Sequence, residues 1–345
     1  MDIIKDSISG LVRKGRPTQG DVHVNAPLTN MSVAYMQDET SFVAESVFPT
    51  IPVEKQSNLY YVYAREDFNR DSMKRRADST ESQGDGWTLS TDSYFAHVWA
   101  LHKDVGDQIV ANADDVVNLD MATTKFLTLK ALLWKEINFA DNFFTTNVWN
   151  TDKEFGSGSD QSTPWSDDAS TPIEDVEEAK NVMLEATGFE PNTLTIGKRV
   201  WSALKNHPDV IDRLKYGQTP GGPAKVTMAA IAALFEIDRI LVMKSIQNTA
   251  KQGATESNSF IGGNHGLLNY VTPTPGHFIP SAGYTFGWTG YTGASKMGSR
   301  ISKWYNQDRR SDRHEIEIAF DQKAVASDLG YFMENLAITP TAATS

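Results

Sequence analysis

Leu119–Thr146, LDMATTKFLTLKALLWKEINFADNFFTT, is the stretch whose reading decides the fold. Phe126, Leu129, Leu133, Ile137, Ala140 and Phe144 recur at steps of three and four, which sets their side chains on one face of a helix. Leu127, Leu132, Trp134, Phe139 and Phe143 widen that face, and Lys125, Lys130, Lys135, Glu136 and Asp141 interrupt it. The spacing predicts one long amphipathic helix, roughly 40 Å at 1.5 Å per residue. Asp114 and Asp115 just upstream suit the positive end of its dipole. A helix of this length needs a broad partner, and the strand-rich regions flanking it are the candidates.

Working outward toward the N-terminus, Tyr94–Leu101 (YFAHVWAL) and Leu59–Val62 with Tyr60, Tyr61 and Tyr63 read as strands, being aromatic and β-branched. The polar link Asn69–Trp87 between them is too long for a tight turn. Residues 57–101 therefore form a two-stranded arm with a charged tip, which includes the basic island Met73-Lys74-Arg75-Arg76. An isolated ribbon of this kind is marginal in water, so it must lie on another surface, most naturally a neighbouring subunit. Residues 1 to about 40 are polar, rich in Gly and Pro, and without sustained periodicity; they are disordered or an arm laid on something else.

Toward the C-terminus, 147–171 is a surface excursion, and Pro172 opens a helix with Val176, Ala179, Val182, Met183 and Ala186 in period, stopped by Gly188. A compact α/β alternation follows: strands at Thr193–Ile196 and Arg239–Met243, helices at Lys198–Lys205, Asp209–Lys215 and Thr227–Phe235, and a loop at Gly217–Pro223. Further strands are expected at Gly266–Val271 and Tyr284–Tyr291. Arg300–Gln307, Glu315–Phe320 and Gln322–Ala326 look like a closing meander, followed by Leu329–Leu336 and a polar tail.

The chain of 345 residues is long enough for about two domains, with 40% hydrophobic and 22% charged residues. A net charge of −12 argues against tight nucleic-acid binding, which needs clustered Lys and Arg. Absence of cysteine excludes disulfides, thiolate metal sites and cysteine nucleophiles. The N-terminus lacks a signal-peptide apolar region, and no run suits a membrane span. Gly217–Pro223 and Gly262–Gly266 lack the ending of a phosphate loop. His97 and His102 are five apart in a strand and fall on opposite faces, and His23, His207, His265, His277 and His314 share no ligand spacing. Asp114-Asp115, Asp167-Asp168 and Glu177-Glu178 read as dipole complementation and solubility. No catalytic constellation, metal site or cofactor site emerges.

A resemblance rests on short pieces in a fixed order: Arg76-Ala77-Asp78, Ala140–Phe144 (ADNFF), Thr193–Gly197 (TLTIG), His207–Val210 (HPDV), Ala232–Glu236 (AALFE), Ser281–Phe286 (SAGYTF), Arg310–Arg313 (RSDR) and Asp328–Phe332 (DLGYF). With them the chain resembles the major capsid proteins of tailed double-stranded-DNA bacteriophages, an α+β, Hong Kong 97-like phage capsid fold. The resemblance implies an N-terminal arm at 1–56, an extended loop (a β-hairpin) at 57–101, a peripheral domain at 102–189 and 299–339 with its spine helix at 119–146, an axial domain at 190–298 and a tail at 340–345. It implies pentamers and hexamers of a shell around the genome. Inter-subunit contacts are then expected from the loop tip (Arg70, Lys74, Arg75, Arg76), the meander turn (Arg309, Arg310, Asp312, Arg313) and the N-terminal arm (Lys5, Arg13, Lys14, Arg16). Partners would be other copies, a separate scaffolding protein or none, portal and decoration proteins, and DNA by weak non-specific contact, with no membrane. The implied location is the virion, after assembly in the host cytoplasm. Some members of that family link a tip lysine to a neighbour's asparagine; Lys74 and Asn306 are of the right types, but such common residues raise no expectation of a cross-link. An α+β hydrolase-like enzyme and a minor virion binding module are the rival readings.

Overall fold

The computed structural model describes residues 36–112, 118–156, 161–216, 226–274, 279–293 and 299–338. The long helix forms as Leu119–Phe143. Asn118 caps it, its side-chain oxygen accepting from the Met121 N–H at 2.9 Å, and Asp120 places an acid in the first turn. The expected capping pair Asp114-Asp115 lies outside the described residues. The helix ends at Phe143 rather than Thr146, where the Trp149 indole N–H takes the Phe143 carbonyl at 2.8 Å.

The helix is buried on a wider arc than the periodicity predicts. Leu127, Phe139, Ala140 and Phe144 are inside, but so are Thr123, Lys135 and Glu136, while Phe126 and Trp134 are exposed. The cause is that two partners flank the helix. On one side lies a sheet, on which Leu127 packs with Ile316, Ile318 and Phe320. On the other lies the segment 42–48, where a helical turn, Ala44–Val47, sits over the middle of the spine. Lys135 reaches Glu45 at 2.6 Å and lies over the Phe320 ring. Glu136 accepts from the Val43 and Ala44 N–H groups at 3.0 and 2.8 Å and from the Ser245 hydroxyl at 3.2 Å.

The strands are β1 Thr50–Val53, β2 Ser57–Tyr63, β3 Leu89–Phe95, β4 His97–Gly106, β5 Thr151–Glu154, β6 Thr193–Gly197, β7 Arg239–Met243, β8 Ile246–Asn248, β9 Asn258–Phe260, β10 Gly266–Asn269, β11 Gly283–Trp288, β12 Ser299–Asn306, β13 Ser311–Ala324 and β14 Gly330–Glu334. One sheet runs β1-β11-β13-β12, with β4 also on β13; a second runs β5-β14-β10-β6-β7; β2-β3 and β8-β9 are separate hairpins. The two expected strands Glu315–Phe320 and Gln322–Ala326 are one continuous β13. It buries Ile316, Ile318 and Phe320 against the spine, with partly buried Glu315 and Glu317 between them.

The cores divide the chain differently from the expected unit of 102–189 plus 299–339. Phe155, Trp165, Ile173, Val176, Tyr331 and Met333 share one buried cluster with Leu194, Ile196, Val200 and Ile240. The reason is pairing: β14 lies between β5 and β10 in the sheet of the α/β unit. The helix Pro172–Thr187 packs in this cluster and ends, as predicted, at Gly188, whose φ of 77° is left-handed. The extended hairpin likewise stops at Phe95; Ala96 is buried, and β4 beyond it belongs to the β13 sheet. A junction cluster of Val47, Phe48, Phe139, Phe144, Trp149, Leu267, Leu329 and Phe332 joins the arm, the spine and the α/β sheet.

Two outcomes follow from the junction. Glu136→Ala orphans the Val43 and Ala44 N–H groups and should lower stability by about 3–5 kcal/mol in urea unfolding, whereas Glu136→Gln, which keeps an acceptor, should lose clearly less. His265 sits between Phe144 and Phe332, its Nδ1 accepting from the Asn335 N–H at 3.2 Å, and burial pushes its pKa below the ordinary value of 6.5. The unfolded chain therefore takes up the proton first. The contribution of His265 is complete above pH about 6.5 and is lost as pH falls below it, so Tm should drop on acidification in that range and drop less in His265→Gln.

Candidate assembly surface

The β2–β3 hairpin has one anchored face and one bare face. Register pairs Asn58 with Tyr94 and Tyr60 with Asp92 on the anchored side. There Tyr94 and Tyr60 stack on Phe286 with centroids 4.5 and 5.8 Å away. The Tyr60 hydroxyl donates to Asp92 at 2.6 Å; burial first, and then this bond, push the phenol well above its ordinary value. The root is further held by the Phe95 N–H donating to Asp321 at 2.9 Å, and past the far end of the paired strands Arg65 reaches Asp328 at 2.7 Å. Burial raises the Asp321 carboxyl, and the Phe95 N–H opposes that rise.

The opposite face pairs Leu59 with Ser93, Tyr61 with Thr91 and Tyr63 with Leu89. Leu59 and Tyr61 are 63% and 61% exposed, and Leu89 and Phe95 are each 47% exposed. Beyond Tyr63 and Leu89 strand pairing ends, and Arg70, Lys74, Arg75 and Arg76 are all exposed on the tip. Arg76 donates to the Thr80 carbonyl, a contact inside the tip itself. The predicted tip residues are thus brought together on one projection.

The bare face continues onto the body. Phe95, His97 and Trp99 follow one another with centroids 4.8 and 6.4 Å apart, and Trp99 meets Trp134 of the spine at 4.9 Å. Lys103 lies over Phe126 further along. This strip was not singled out from the sequence, although YFAHVWAL carries large apolar residues at both parities, the signature of a strand covered on both faces.

The meander-turn residues make ion pairs within the subunit. Asp104 of β4 accepts from Arg313 at 2.7 and 3.0 Å and from Arg309 at 3.2 Å, and the Arg313 bond holds its carboxyl below the usual range. Lys303 joins Asp312 at 3.1 Å and Asp120 at 2.7 Å. Arg309, Asp312 and Arg313 thereby pin the β12–β13 turn to β4 and to the helix start. Arg310, exposed at φ 44°, keeps its side chain outward while its carbonyl accepts from the Asp107 N–H. The partner Asp104 lies far upstream, so no local pattern points to it. Lys5, Arg13, Lys14 and Arg16 lie outside the described residues. Within the described residues, the Gln37 side-chain amide bonds both the carbonyl and the N–H of Ile246 at 2.7 and 2.8 Å.

Among the described residues no three His, Cys, Asp or Glu side chains gather as a metal site, and no helix is long and apolar enough to cross a membrane. Ser170 and His207 meet at 3.0 Å, but both are buried. The His207 Nδ1 accepts from the Asp209 N–H, which puts the proton on Nε2, the nitrogen facing the serine. That tautomer leaves no base to activate the hydroxyl.

The family described as phage major capsid protein E matches residues 104–282. The major capsid protein of Pseudomonas phage JBD67 is 27% identical over 318 residues, covering 90% of this chain and 96% of its own. Among solved structures, a phage-related protein from Bordetella bronchiseptica has a TM-score of 0.64 at 23% identity, covering 91% of this chain and 97% of its own. The capsid of cyanophage P-SCSP1u has a TM-score of 0.59 at 12% identity, covering 95% and 97%. The fold is the α+β, Hong Kong 97-like capsid fold.

Since Asp104 neutralises two arginines, Asp104→Asn should lower Tm by several degrees, whereas Arg310→Ala should leave Tm unchanged; differential scanning calorimetry of the unassembled chain separates the two.

Proposed function

This chain belongs to the phage major capsid protein E family, and from that premise we propose that its copies close as pentamers and hexamers into the icosahedral head of a tailed phage, around double-stranded DNA. One observation carries the reading: a hairpin whose outer face exposes large apolar side chains and whose basic tip has, among the described residues, no ion pair or hydrogen bond to the body of its own subunit. Leu59, Tyr61, Leu89 and Phe95 in water are costly to leave uncovered at about 25 cal/mol per Å², and a neighbouring copy supplies the cover. Interfaces of this obligate kind bury about 2,000–5,000 Å². The role is mechanical, with no catalytic step. A net charge of −12 supports weak, non-specific contact with packaged DNA. Scaffolding, portal and decoration proteins are the further partners, with assembly in the host cytoplasm and residence in the virion.

The test is negative-stain microscopy of the purified chain, alone and with a co-expressed scaffolding protein. Shells, tubes or ring-shaped capsomers are expected. Deletion of residues 66–86 should abolish closure while the circular dichroism of the body persists, and Tyr61→Asp should reduce shell yield at least tenfold. Uniform monomers under every condition would overturn the reading.

A further inference from the structure

The spine covers only part of the sheet beneath it. Leu127 packs on Ile316, Ile318 and Phe320, so the helix lies along β13. Register sets His97, Trp99, Leu101 and Lys103 of β4 opposite Phe320, Ile318, Ile316 and His314, and therefore on the same face of the sheet as the spine. Trp99 and Leu101 nevertheless stay 42% and 43% exposed. Among the described residues β4 pairs only with β13, so its outer edge is open as well.

On the helix, Phe126, Lys130 and Trp134 recur every four residues and form one exposed stripe along the flank next to β4. The two rows match end to end: Lys103 meets Phe126, and Trp99 meets Trp134 with ring centroids 4.9 Å apart. From Phe126 to Trp134 the helix rises about 12 Å, and from Lys103 to Trp99 the strand runs about 13 Å. Spine and β4 thus enclose a seam with aromatic and aliphatic walls and two lysines at one end. Both ammonium groups lie over the Phe126 ring, 5.3 and 5.7 Å from its centroid. Among the described residues neither has a carboxylate at ion-pair distance, and burial lowers the Lys103 pKa. Asp120, at the start of the spine, is already held by Lys303 and His314.

Charge and apolar surface together choose the occupant. Duplex DNA would neutralise the lysines but leave Trp99, Leu101 and Trp134 in water. The outer face of a neighbouring hairpin, with Leu59, Tyr61, Leu89 and Phe95, is apolar, but its paired strands put no carboxylate on that face and its tip carries Arg70, Lys74, Arg75 and Arg76. An amphipathic helix with acids beside its apolar stripe meets both demands. It covers the walls, closes the open edge of β4, and pairs both lysines.

We propose that the seam between the spine and β4 is a docking site for an acidic amphipathic helix of a partner protein. Packed helices lie about 8–10 Å apart, so a helix beside the spine sits over β4. Trp99 and Trp134 are the anchors, as buried aromatics are in other interfaces, while Lys103 and Lys130 select an acidic partner and speed its encounter. The seam is complete in one subunit, so this goes beyond the shell-forming reading and does not depend on it.

The full-length chain, kept below its assembly concentration and checked by sedimentation, is titrated at low salt with three fluorescent probes. These are a synthetic helix of about 18 residues, five turns, with leucines on one face flanked by glutamates; the same helix with lysine for every glutamate; and a DNA duplex. The glutamate helix should bind best. Lys130→Glu should weaken it about tenfold and Trp134→Ala about fivefold. Lys125→Glu, the same charge change about 140° around the helix, should cost less than about twofold. Thermal unfolding is the folding control, and Leu101→Ser replaces Trp134→Ala if that variant unfolds. Equal binding of the lysine helix, undiminished affinity in folded Lys130→Glu, or no binding of the glutamate helix would overturn the proposal. Tighter binding of the duplex, insensitive to Trp134→Ala, would assign the seam to nucleic acid instead. Self-association lost in Trp134→Ala, with no binding of the glutamate helix, would assign it to a second copy.

Discussion

A buried carboxylate holds this subunit together. Glu136, in the middle of the spine, takes hydrogen bonds from the backbone of Val43 and Ala44 and from Ser245, so that arm, spine and α/β unit meet at one side chain. Burial raises its pKa, and these three donors hold it back. The balance makes the site specific: remove any donor and a charge is stranded in an apolar junction of Phe48, Phe139 and Phe144. Apolar packing alone would permit the arm to slide along the spine, whereas directed hydrogen bonds fix its register.

Around that point, stability is distributed unevenly. The α/β unit has its own core, the spine and β13 share another, and the hairpin packs on a small cluster around Tyr60, Tyr94 and Phe286, with the Phe95–Asp321 hydrogen bond and the Arg65–Asp328 ion pair beside it. Leu59 and Tyr61 on the outer face of the hairpin stay exposed.

The spine, the α/β alternation and the hairpin were legible in the sequence because each has a short-range signal: a 3.6 period, alternating elements, and paired aromatic runs around a polar link. Gly188 was legible too, since only a left-handed residue closes that helix well. The inward face of the spine was not, because Lys135 and Glu136 count as outward in any periodicity and are drawn inside by Glu45 and by backbone donors far away in sequence. β14 was read with the meander beside it and pairs instead with β10 and β5, a choice that local pattern does not encode. The pairing of Arg309 and Arg313 is not legible in the sequence, because their partner Asp104 lies far upstream.

The hairpin leaves the body through Ala96 into β4, and β4 lies antiparallel to β13 from His97↔Phe320 to Gly106↔Ser311. A pull along the axis of β4 therefore loads this ladder lengthwise, so its hydrogen bonds share the force and must fail together. The same ladder pulled from the side would open one bond at a time. The topology gives the appendage a tether that resists tension along one direction far better than across it.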